Sequence, residues 1–430
     1  MQDKQNEEFD FIKEKIKNKP VNKRRVMTHI AKTAGLAVIF GFVACMVFTL
    51  MQPIMQGWFQ NQDNPVVSIP SDEQETETEI ETEDNLAKAE TEQAQPSTQI
   101  VQVPQELEIA DYQELQDKLY AIGTNANKSI VTVTGVRSDT DWFNTPYETE
   151  GQASGVIIAN DGQELYVMTE KKVITDVETI SVTFQNGTTA AATLKKYDGN
   201  TGIAILSVAD NQIDANTLGS ISVAQLGNSL EVSQGNIVIA VGSPLGSNFT
   251  ILTGNITSTG NSVSTIDSNF TVLTTDMVGS ISGSGVLLNL QGQIIGLIMQ
   301  NYSTASEQNT LTALSISELK TIIEKLSRNE DIPYLGLKVT TITSDIEKKY
   351  DLPSGVYIKS VEMDSPALAA GLQSGDIITE IDGKSITTVL QYEDYVRTLA
   401  PKTTVHIKIM RQGNNGYAEI NCQAESGILQ

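Results

Sequence analysis

Two histidines are the only imidazole side chains in this sequence, and their positions limit the chemistry available between them. His29 lies beside an apolar stretch near the N-terminus, and His406 lies near the C-terminus. A serine hydroxyl that attacks a carbonyl at neutral pH usually needs an imidazole to take its proton and to return it to the leaving group. The long region between the two histidines therefore lacks the usual base for serine nucleophilic catalysis.

The segment Gly279 to Gly285, with the sequence GSISGSG, contains the candidate nucleophile Ser284 and has two interpretations. In the first, its small residues only form a flexible turn. In the second, Lys172 acts as the base for Ser284, because burial lowers the pKa of a lysine enough for it to accept a proton. Lys172 lies in a stretch with several other charged residues, which is typical of a solvated turn, so the sequence favours the first interpretation.

Composition excludes several other kinds of site. The net charge is -24, and no basic stripe occurs outside the N-terminal arm, so we expect no nucleic acid partner. Neither clustered histidines nor clustered cysteines are present, so we predict no metal site and no cofactor. Cys45 and Cys422 are the only cysteines, and we expect no disulfide between them because Cys45 lies in an apolar run.

The N-terminal region predicts a membrane anchor. Residues 1–32 form a lysine- and arginine-rich arm, and residues 33–55 contain an apolar run, Ala34 to Met51, that is long enough to span a bilayer as a helix. The positive charges lie upstream of this run, so the positive-inside rule places the N-terminus in the cytoplasm and the rest of the chain outside it. A cleaved signal peptide is the competing interpretation, but the long charged arm and the absence of a clear cleavage site favour an uncleaved helix.

Residues 56–105 predict a disordered linker. Acidic residues recur at almost every second position from Asp72 to Glu92, and only Lys88 opposes them. Such a segment repels itself and buries little apolar surface. We therefore expect an extended tether between the anchor and the folded part of the chain.

Two folded units follow the linker. Residues 106–328 begin and end with helical patterns and contain many short β-rich runs separated by Gly, Asn and Asp, which is typical of an all-β barrel or sandwich. Residues 332–424 alternate strands with two helical stretches. The first of these helices begins near Asp364, which we expect to be its N-cap.

Several motifs resemble those of one family, the HtrA-type (DegP-like) serine proteases. Members join an N-terminal signal or anchor to a chymotrypsin-like double β-barrel and a C-terminal PDZ domain. The motifs occur in order along the chain: GVIIANDG at residues 155–162, IAVGSPLG at 239–246, NLQGQIIG at 289–296 and AGLQSGDII at 370–378. The resemblance implies a mostly β fold, a chymotrypsin-like double barrel followed by an α+β PDZ domain.

The positions that the family uses for catalysis differ in this sequence. The family's "TNNHV" run is replaced by TEKKV, which places Lys172 where the histidine belongs, and "DLAVLK" is replaced by GIAILS, which places Gly202 where the aspartate belongs. The nucleophile loop is one residue shorter than in the family. Counting forward from Thr275 assigns the nucleophile position to Ser284, whereas counting back from Asn289 assigns it to Gly283.

The PDZ part resembles the family more closely. The residues Tyr334, Leu335, Gly336 and Leu337 resemble the carboxylate-binding loop, in which backbone N–H groups receive the C-terminal carboxylate of a peptide that adds a strand to the sheet edge. We predict that these four residues form a peptide-binding site.

Two functions follow from this pattern. The first is a membrane-anchored, single-pass protein with a catalytically degenerate protease domain, which binds exposed or C-terminal peptides or unfolded proteins outside the cytoplasm in protein quality control or signalling. The second is an active serine endopeptidase with a non-standard catalytic set, Ser284 with Lys172. The resemblance also implies assembly as a homotrimer or with an active homologue.

Overall fold

The computed structural model describes residues 67–72, 108–140, 146–302, 309–414 and 416–429. These residues belong to one compact unit that extends from Pro65 to Gln430. The predicted basic arm, the predicted transmembrane helix and most of the predicted linker lie outside the described residues. In the helices of the described ranges, no stretch is both long enough and apolar enough to cross a membrane.

The first half of the folded unit is a closed antiparallel barrel. Helix α1 (Ile109–Ala126) leads into strands β1 (Ile130–Thr140), β2 (Pro146–Asn160), β3 (Glu164–Glu170), β4 (Thr179–Thr183), β5 (Thr189–Tyr197) and β6 (Ile203–Ala209). The strands pair in the order β1-β2-β3-β6-β5-β4, and β4 pairs back to β1.

Strand β3 shows why the barrel strands contain uninterrupted apolar runs. Its side chains alternate between two faces, as in any strand, but both faces are buried. Leu165 and Val167 lie inside the first barrel, whereas Tyr166 and Met168 lie in a larger core outside it. The apolar run therefore reports burial on both sides of the strand.

A second barrel follows. Helix α2 (Ala215–Ser220) precedes strands β7 (Ile237–Ser243), β8 (Thr250–Thr265), β9 (Ser268–Val278), β10 (Ser284–Leu288), β11 (Ile294–Met299) and β12 (Thr310–Ser315). These strands pair in the order β10-β11-β12-β9-β8-β7, and β10 closes the barrel against β7. Val238, Ala240 and Leu287 are among the buried residues of its interior.

A shared apolar core joins the two barrels. Helix α3 (Ile316–Ser327) follows the last barrel strand and packs Leu319 and Ile323 into this core. Ile205 of the first barrel and Val286 of the second barrel belong to the same cluster. Burial of these side chains contributes about 1.5 to 3 kcal/mol each, so the barrels are held together mainly by apolar packing.

The C-terminal part is an α+β domain. Its elements are β13 (Pro333–Tyr334), β14 (Leu337–Thr341), α4 (Ser344–Tyr350), β15 (Val356–Val361), α5 (Pro366–Ala369), β16 (Ile377–Ile381), β17 (Lys384–Ser385), α6 (Val389–Thr398), β18 (Thr404–Gly413), β19 (Gly416–Glu425) and β20 (Gly427–Ile428). The main sheet has the order β14-β15-β16-β18-β19, and β13 pairs separately with β20. The N-cap of α5 is Ser365 and not Asp364 as predicted, because the Ser365 hydroxyl accepts the Leu368 N–H. The predicted mostly β fold, a double barrel followed by an α+β domain, is confirmed.

Residues 67–72 differ from the predicted disordered linker, because they contact the second barrel's terminal helix. Val67 and Ile69 pack against the shared core. The carboxylate of Asp72 lies 2.7 Å from Nζ of Lys320 on α3 and also accepts a hydrogen bond from Ser317. Lys320 is buried, with 5 % of its surface exposed, so Asp72 provides the acidic partner that its ammonium needs.

We expect Asp72→Asn to lower the free energy of unfolding by about 2 kcal/mol, because it leaves the buried ammonium of Lys320 without its counter-charge. Urea denaturation of the purified protein measures this loss. Asp117→Asn on the exposed face of α1 is the control and should leave the midpoint unchanged. Equal midpoints for Asp72→Asn and the wild type would contradict the assignment.

Candidate functional site

The position predicted for the base is occupied by an ion pair at the end of β3. Lys172 lies in a short 3-10 turn, Lys171–Val173, and its Nζ lies 2.7 Å from Oε2 of Glu170. The side chain of Lys172 is 39 % exposed, whereas that of Glu170 is 5 % exposed. Lys172 is therefore a solvated, paired lysine rather than the desolvated lysine that a general base requires.

Glu170 is the unusual residue of this pair. Burial raises the pKa of Glu170, and the neighbouring Lys172 opposes that effect. Its second oxygen, Oε1, is buried and has no hydrogen-bond partner in the described part of the chain. Glu170 was not predicted as a site residue, since a single glutamate beside two lysines gives no sign of burial in the sequence.

Gly202 supplies only backbone groups at the position predicted for the aspartate. Its carbonyl accepts the Lys171 N–H at 2.7 Å, and its N–H donates to the Asp198 carbonyl at 2.9 Å. The acidic side chain that precedes it, Asp198, accepts hydrogen bonds from Asn200 and Thr201 within its own turn. Gly202 therefore offers no carboxylate that could orient a base.

Ser284 lies in a closed seam between the two barrels. It is the first residue of β10 and is 2 % exposed. Its Oγ accepts the backbone N–H of Ser154 on β2 at 3.0 Å. In the part of the chain that the structure describes, no hydrogen bond joins Ser284 Oγ to Lys172 Nζ. The predicted pair of Ser284 and Lys172 is therefore not assembled.

The seam continues through polar side chains that also join the barrels. Ser154 donates from its hydroxyl to Oδ1 of Asn248 at 2.6 Å. Asn248 in turn donates from Nδ2 to the Val131 carbonyl at 2.9 Å and to the Thr132 hydroxyl at 2.7 Å. The hydroxyl of Ser284 thus belongs to a structural hydrogen-bond network.

Gly283, the other candidate for the nucleophile position, ends a tight turn. Its N–H donates to the Ser280 carbonyl at 2.8 Å, and a Cβ there would lie 2.7 Å from the Pro244 carbonyl oxygen. The N–H of Ser282 donates to the Ser280 hydroxyl, and that of Ser280 donates to the Pro244 carbonyl. These amides are engaged inside the loop and do not converge on an open position where an oxyanion could bind.

The predicted peptide-binding loop has the geometry of an anion site. The N–H groups of Leu335, Gly336 and Leu337 converge on one carboxylate, that of Asp267, at 2.6, 2.7 and 2.9 Å. Tyr334 contributes differently, because it pairs with Gly427 in the small sheet of β13 and β20. Three of the four predicted residues therefore direct backbone donors towards a common point.

The loop is fixed by the rest of its domain. The Leu335 carbonyl accepts the Ala367 N–H, and the Gly336 carbonyl accepts the Glu362 N–H, both at 2.8 Å. Gly336 has a φ of 95°, and a Cβ there would lie 2.2 Å from Cβ of Ser365. Only glycine permits this backbone conformation and this close approach, so the donors are preorganised.

A second polar contact joins the C-terminal domain to the barrel. Glu393 on α6 is buried. Its Oε1 accepts two hydrogen bonds from Asn269, one from the backbone N–H at 2.7 Å and one from the side-chain Nδ2 at 3.0 Å. Arg397 donates to the other oxygen at 3.3 Å. The pKa of Glu393 is raised to about 7, chiefly by burial and in small part by the charge of Glu318, while Arg397 and Asn269 oppose the shift.

Comparisons with known proteins define the class. Residues 153–297 match the trypsin-like peptidase domain family, and residues 333–422 match the PDZ domain family. The fold is also similar to that of the HtrA-type protease AlgW with a decapeptide, at 20 % identity and a TM-score of 0.53, over 72 % of this chain and 98 % of AlgW. The molecule is thus a trypsin-like double barrel followed by a PDZ domain.

The relatives identify the family. A serine protease Do-like HtrA of Lactobacillus helveticus is 31 % identical over 289 residues, which cover 63 % of this chain and 68 % of that protein. A serine protease Do-like HtrA of Lactococcus lactis subsp. cremoris is 26 % identical over 328 residues, which cover 71 % and 79 %. This chain belongs to the HtrA family of trypsin-like serine proteases with a PDZ domain, which confirms the resemblance.

We expect the stability difference between the wild type and Glu393→Gln to depend on pH. Since the folded-state pKa of about 7 lies above the ordinary value of 4.5, protonation of Glu393 favours the folded state. The contribution is complete below pH 4.5 and is lost as pH rises through 7.

Urea denaturation at pH 6 and pH 8 should therefore show a wild-type advantage over Glu393→Gln that is about 1 kcal/mol larger at the lower pH. Titrating groups that do not interact with Glu393 cancel in this difference. Glu425→Gln, at an exposed position, is the control. A pH-independent difference would show that Glu393 is not held in the buried environment described.

Proposed function

We propose that this chain is a membrane-anchored HtrA-family protein whose barrel does not hydrolyse peptides and whose PDZ domain binds exposed or C-terminal peptides. The observation that carries the proposal is the burial of Ser284, whose Oγ accepts a backbone hydrogen bond in the seam between the barrels. The paired, solvated Lys172 and the missing carboxylate at Gly202 support it, because no group remains to activate a hydroxyl.

The peptide-binding half of the proposal rests on the PDZ loop. Three converging backbone N–H groups beside an edge strand can receive a peptide carboxylate, and the peptide backbone can extend the sheet at β14. AlgW, whose fold is similar, has been solved with a decapeptide. Exposed or C-terminal segments of unfolded proteins are therefore the partners that we propose, in quality control or signalling.

Location and assembly are further parts of the proposal. The apolar run in residues 33–55 and the basic arm before it support a single-pass anchor with a cytoplasmic N-terminus and with the barrels and PDZ domain outside the cytoplasm. A non-hydrolysing subunit that retains the family fold could also assemble as a homotrimer or bind an active homologue and regulate it.

The second candidate function is an active endopeptidase that uses Ser284 and Lys172. It requires the seam to open, the lysine to leave Glu170, and both side chains to meet in an enclosed cleft. The observation in favour of this candidate is the position of Ser284, which begins β10 directly after a Ser- and Gly-rich turn.

We expect the purified full-length protein to leave unfolded casein intact and to remain unlabelled by a fluorophosphonate probe. The physical reason is that the Ser284 hydroxyl is both inaccessible and without a base. Ser284→Ala should match the wild type in both assays, and Ser282→Ala, in the same loop, is the control. Casein cleavage or labelling that disappears in Ser284→Ala but persists in Ser282→Ala would establish the endopeptidase instead.

We expect the wild type to stay in the membrane pellet after an alkaline carbonate wash. Replacing Phe42 and Val43 with arginine should move the protein into the supernatant, because each charge at the centre of a spanning helix costs about 2.5 to 3.5 kcal/mol. Val278→Arg, at an exposed position of β9, should leave the protein in the pellet. Release of the wild type by the wash would disprove the anchor.

A further inference from the structure

The turn between β8 and β9 places an acidic side chain inside the C-terminal domain. Asp267 adopts a left-handed conformation with a φ of 54° and is 4 % exposed. Its Oδ2 accepts the N–H groups of Leu335 and Gly336, and its Oδ1 accepts the N–H of Leu337 and the hydroxyl of Tyr392. Every one of these partners is a donor, which is the arrangement that an ionised carboxylate requires.

The main chain of Asp267 makes a matching contact. Its N–H donates to the Leu337 carbonyl at 2.7 Å, at the start of β14. A peptide that adds a strand to a sheet edge brings the same two features, a terminal carboxylate and a main-chain N–H close beside it. Asp267 therefore presents to the loop both groups that the last residue of a bound peptide would present.

The β8–β9 turn is also connected to helix α6. Asn269, two residues after Asp267, donates twice to the buried carboxylate of Glu393. Lys325 on α3 donates to the Arg397 carbonyl at 2.7 Å and connects the barrel to the same helix. The turn thus lies between the loop and α6 and is fixed to both.

Two carboxylates cannot use these donors at once. The three N–H groups of the loop are buried and directed at a single acceptor, and each N–H forms its hydrogen bond with Asp267 at 2.6 to 2.9 Å. A second carboxylate at the same point would meet occupied donors and a like charge. Exchange of one carboxylate for the other is the only route to a peptide-bound loop.

We propose that the β8–β9 turn is a built-in competitor for the PDZ loop, so that a peptide carboxylate binds only after Asp267 has left. This inference rests on the proposed function, because it assumes that the loop receives peptide C-termini. The turn belongs to the second barrel, and peptide binding is therefore coupled to separation of the PDZ domain from that barrel.

The competition weakens the apparent affinity of the protein for peptide by a measurable amount. When the binding-competent state is a minor fraction of the protein, the apparent dissociation constant rises in inverse proportion to that fraction. Asp267→Asn keeps a residue that tolerates the left-handed turn, but its amide can accept from only one of the two pairs of donors and directs N–H groups at the other pair. This variant should release the loop without disrupting the hairpin.

The test uses full-length protein and a fluorescein-labelled pool of decapeptides with a free carboxylate on an apolar final residue, followed by fluorescence anisotropy. We expect Asp267→Asn to bind the pool at least about tenfold more tightly than the wild type. The same decapeptides with C-terminal amides should bind neither the wild type nor Asp267→Asn. Asp351→Asn, an exposed aspartate with a similar φ of 51°, is the matched control and should behave as the wild type.

A second readout is hydrogen exchange of the loop amides of Leu335, Gly336 and Leu337. A second variant is Glu393→Gln, which loosens the β8–β9 turn without altering a residue of the loop. We expect faster exchange in Asp267→Asn and a smaller gain of affinity in Glu393→Gln. Equal affinity in the wild type and both variants would overturn the competition while leaving peptide binding intact. Loop amides that exchange faster in Asp267→Asn, without peptide binding by any form, would overturn the proposed function and the competition with it.

Discussion

The docking of the PDZ domain depends on one buried carboxylate. Backbone N–H groups that are removed from water must have acceptors, and the fixed conformation of residues 335–337 directs three of them at one point. Asp267 satisfies them, although burial itself raises the pKa of Asp267 and disfavours its charge. The four donated hydrogen bonds oppose that effect, so the carboxylate is stabilised only where the loop surrounds it. This local requirement ties the domain to the second barrel, together with the contacts of Asn269 with Glu393 and of Lys325 with Arg397.

The polar groups around Ser284 are paired within the structure. In a hydrolytic site, donors and bases remain available until a substrate arrives. Here the Ser154 N–H donates to the Ser284 hydroxyl, and the Ser154 hydroxyl donates to Oδ1 of Asn248, so these groups are paired across the two barrels. The hydroxyl at the position predicted for the nucleophile therefore contributes to cohesion between the two barrels.

The apolar strands and the PDZ motif were the parts of the structure that the sequence predicted well. The runs around β3, β6 and β7 are apolar because both of their faces are buried, and that pattern is visible without a structure. The hairpin of β8 and β9 was not predicted, since its strands are rich in Ser, Thr, Asn and Gly and lack a clear alternation. Asp267 was missed for a related reason: an aspartate in a turn is common, and its partners lie about seventy residues later in the chain. Likewise, the ion pair between Asp72 and Lys320 joins distant segments and could not be predicted from local composition.

The seam at Ser284 has a consequence for any hydrolysis that would use this hydroxyl. A reacting carbonyl carbon must approach the attacking oxygen to about 3 to 3.5 Å, whereas Ser284 is 2 % exposed and its Oγ already accepts the Ser154 N–H of β2. An acyl group on Oγ would need space in a seam where this side chain is buried. Substitution of histidine at residue 172 and aspartate at residue 202 would leave this burial of Ser284 unchanged. Access of a substrate to Oγ would also require a rearrangement that exposes Ser284, which substitutions at those two positions do not supply.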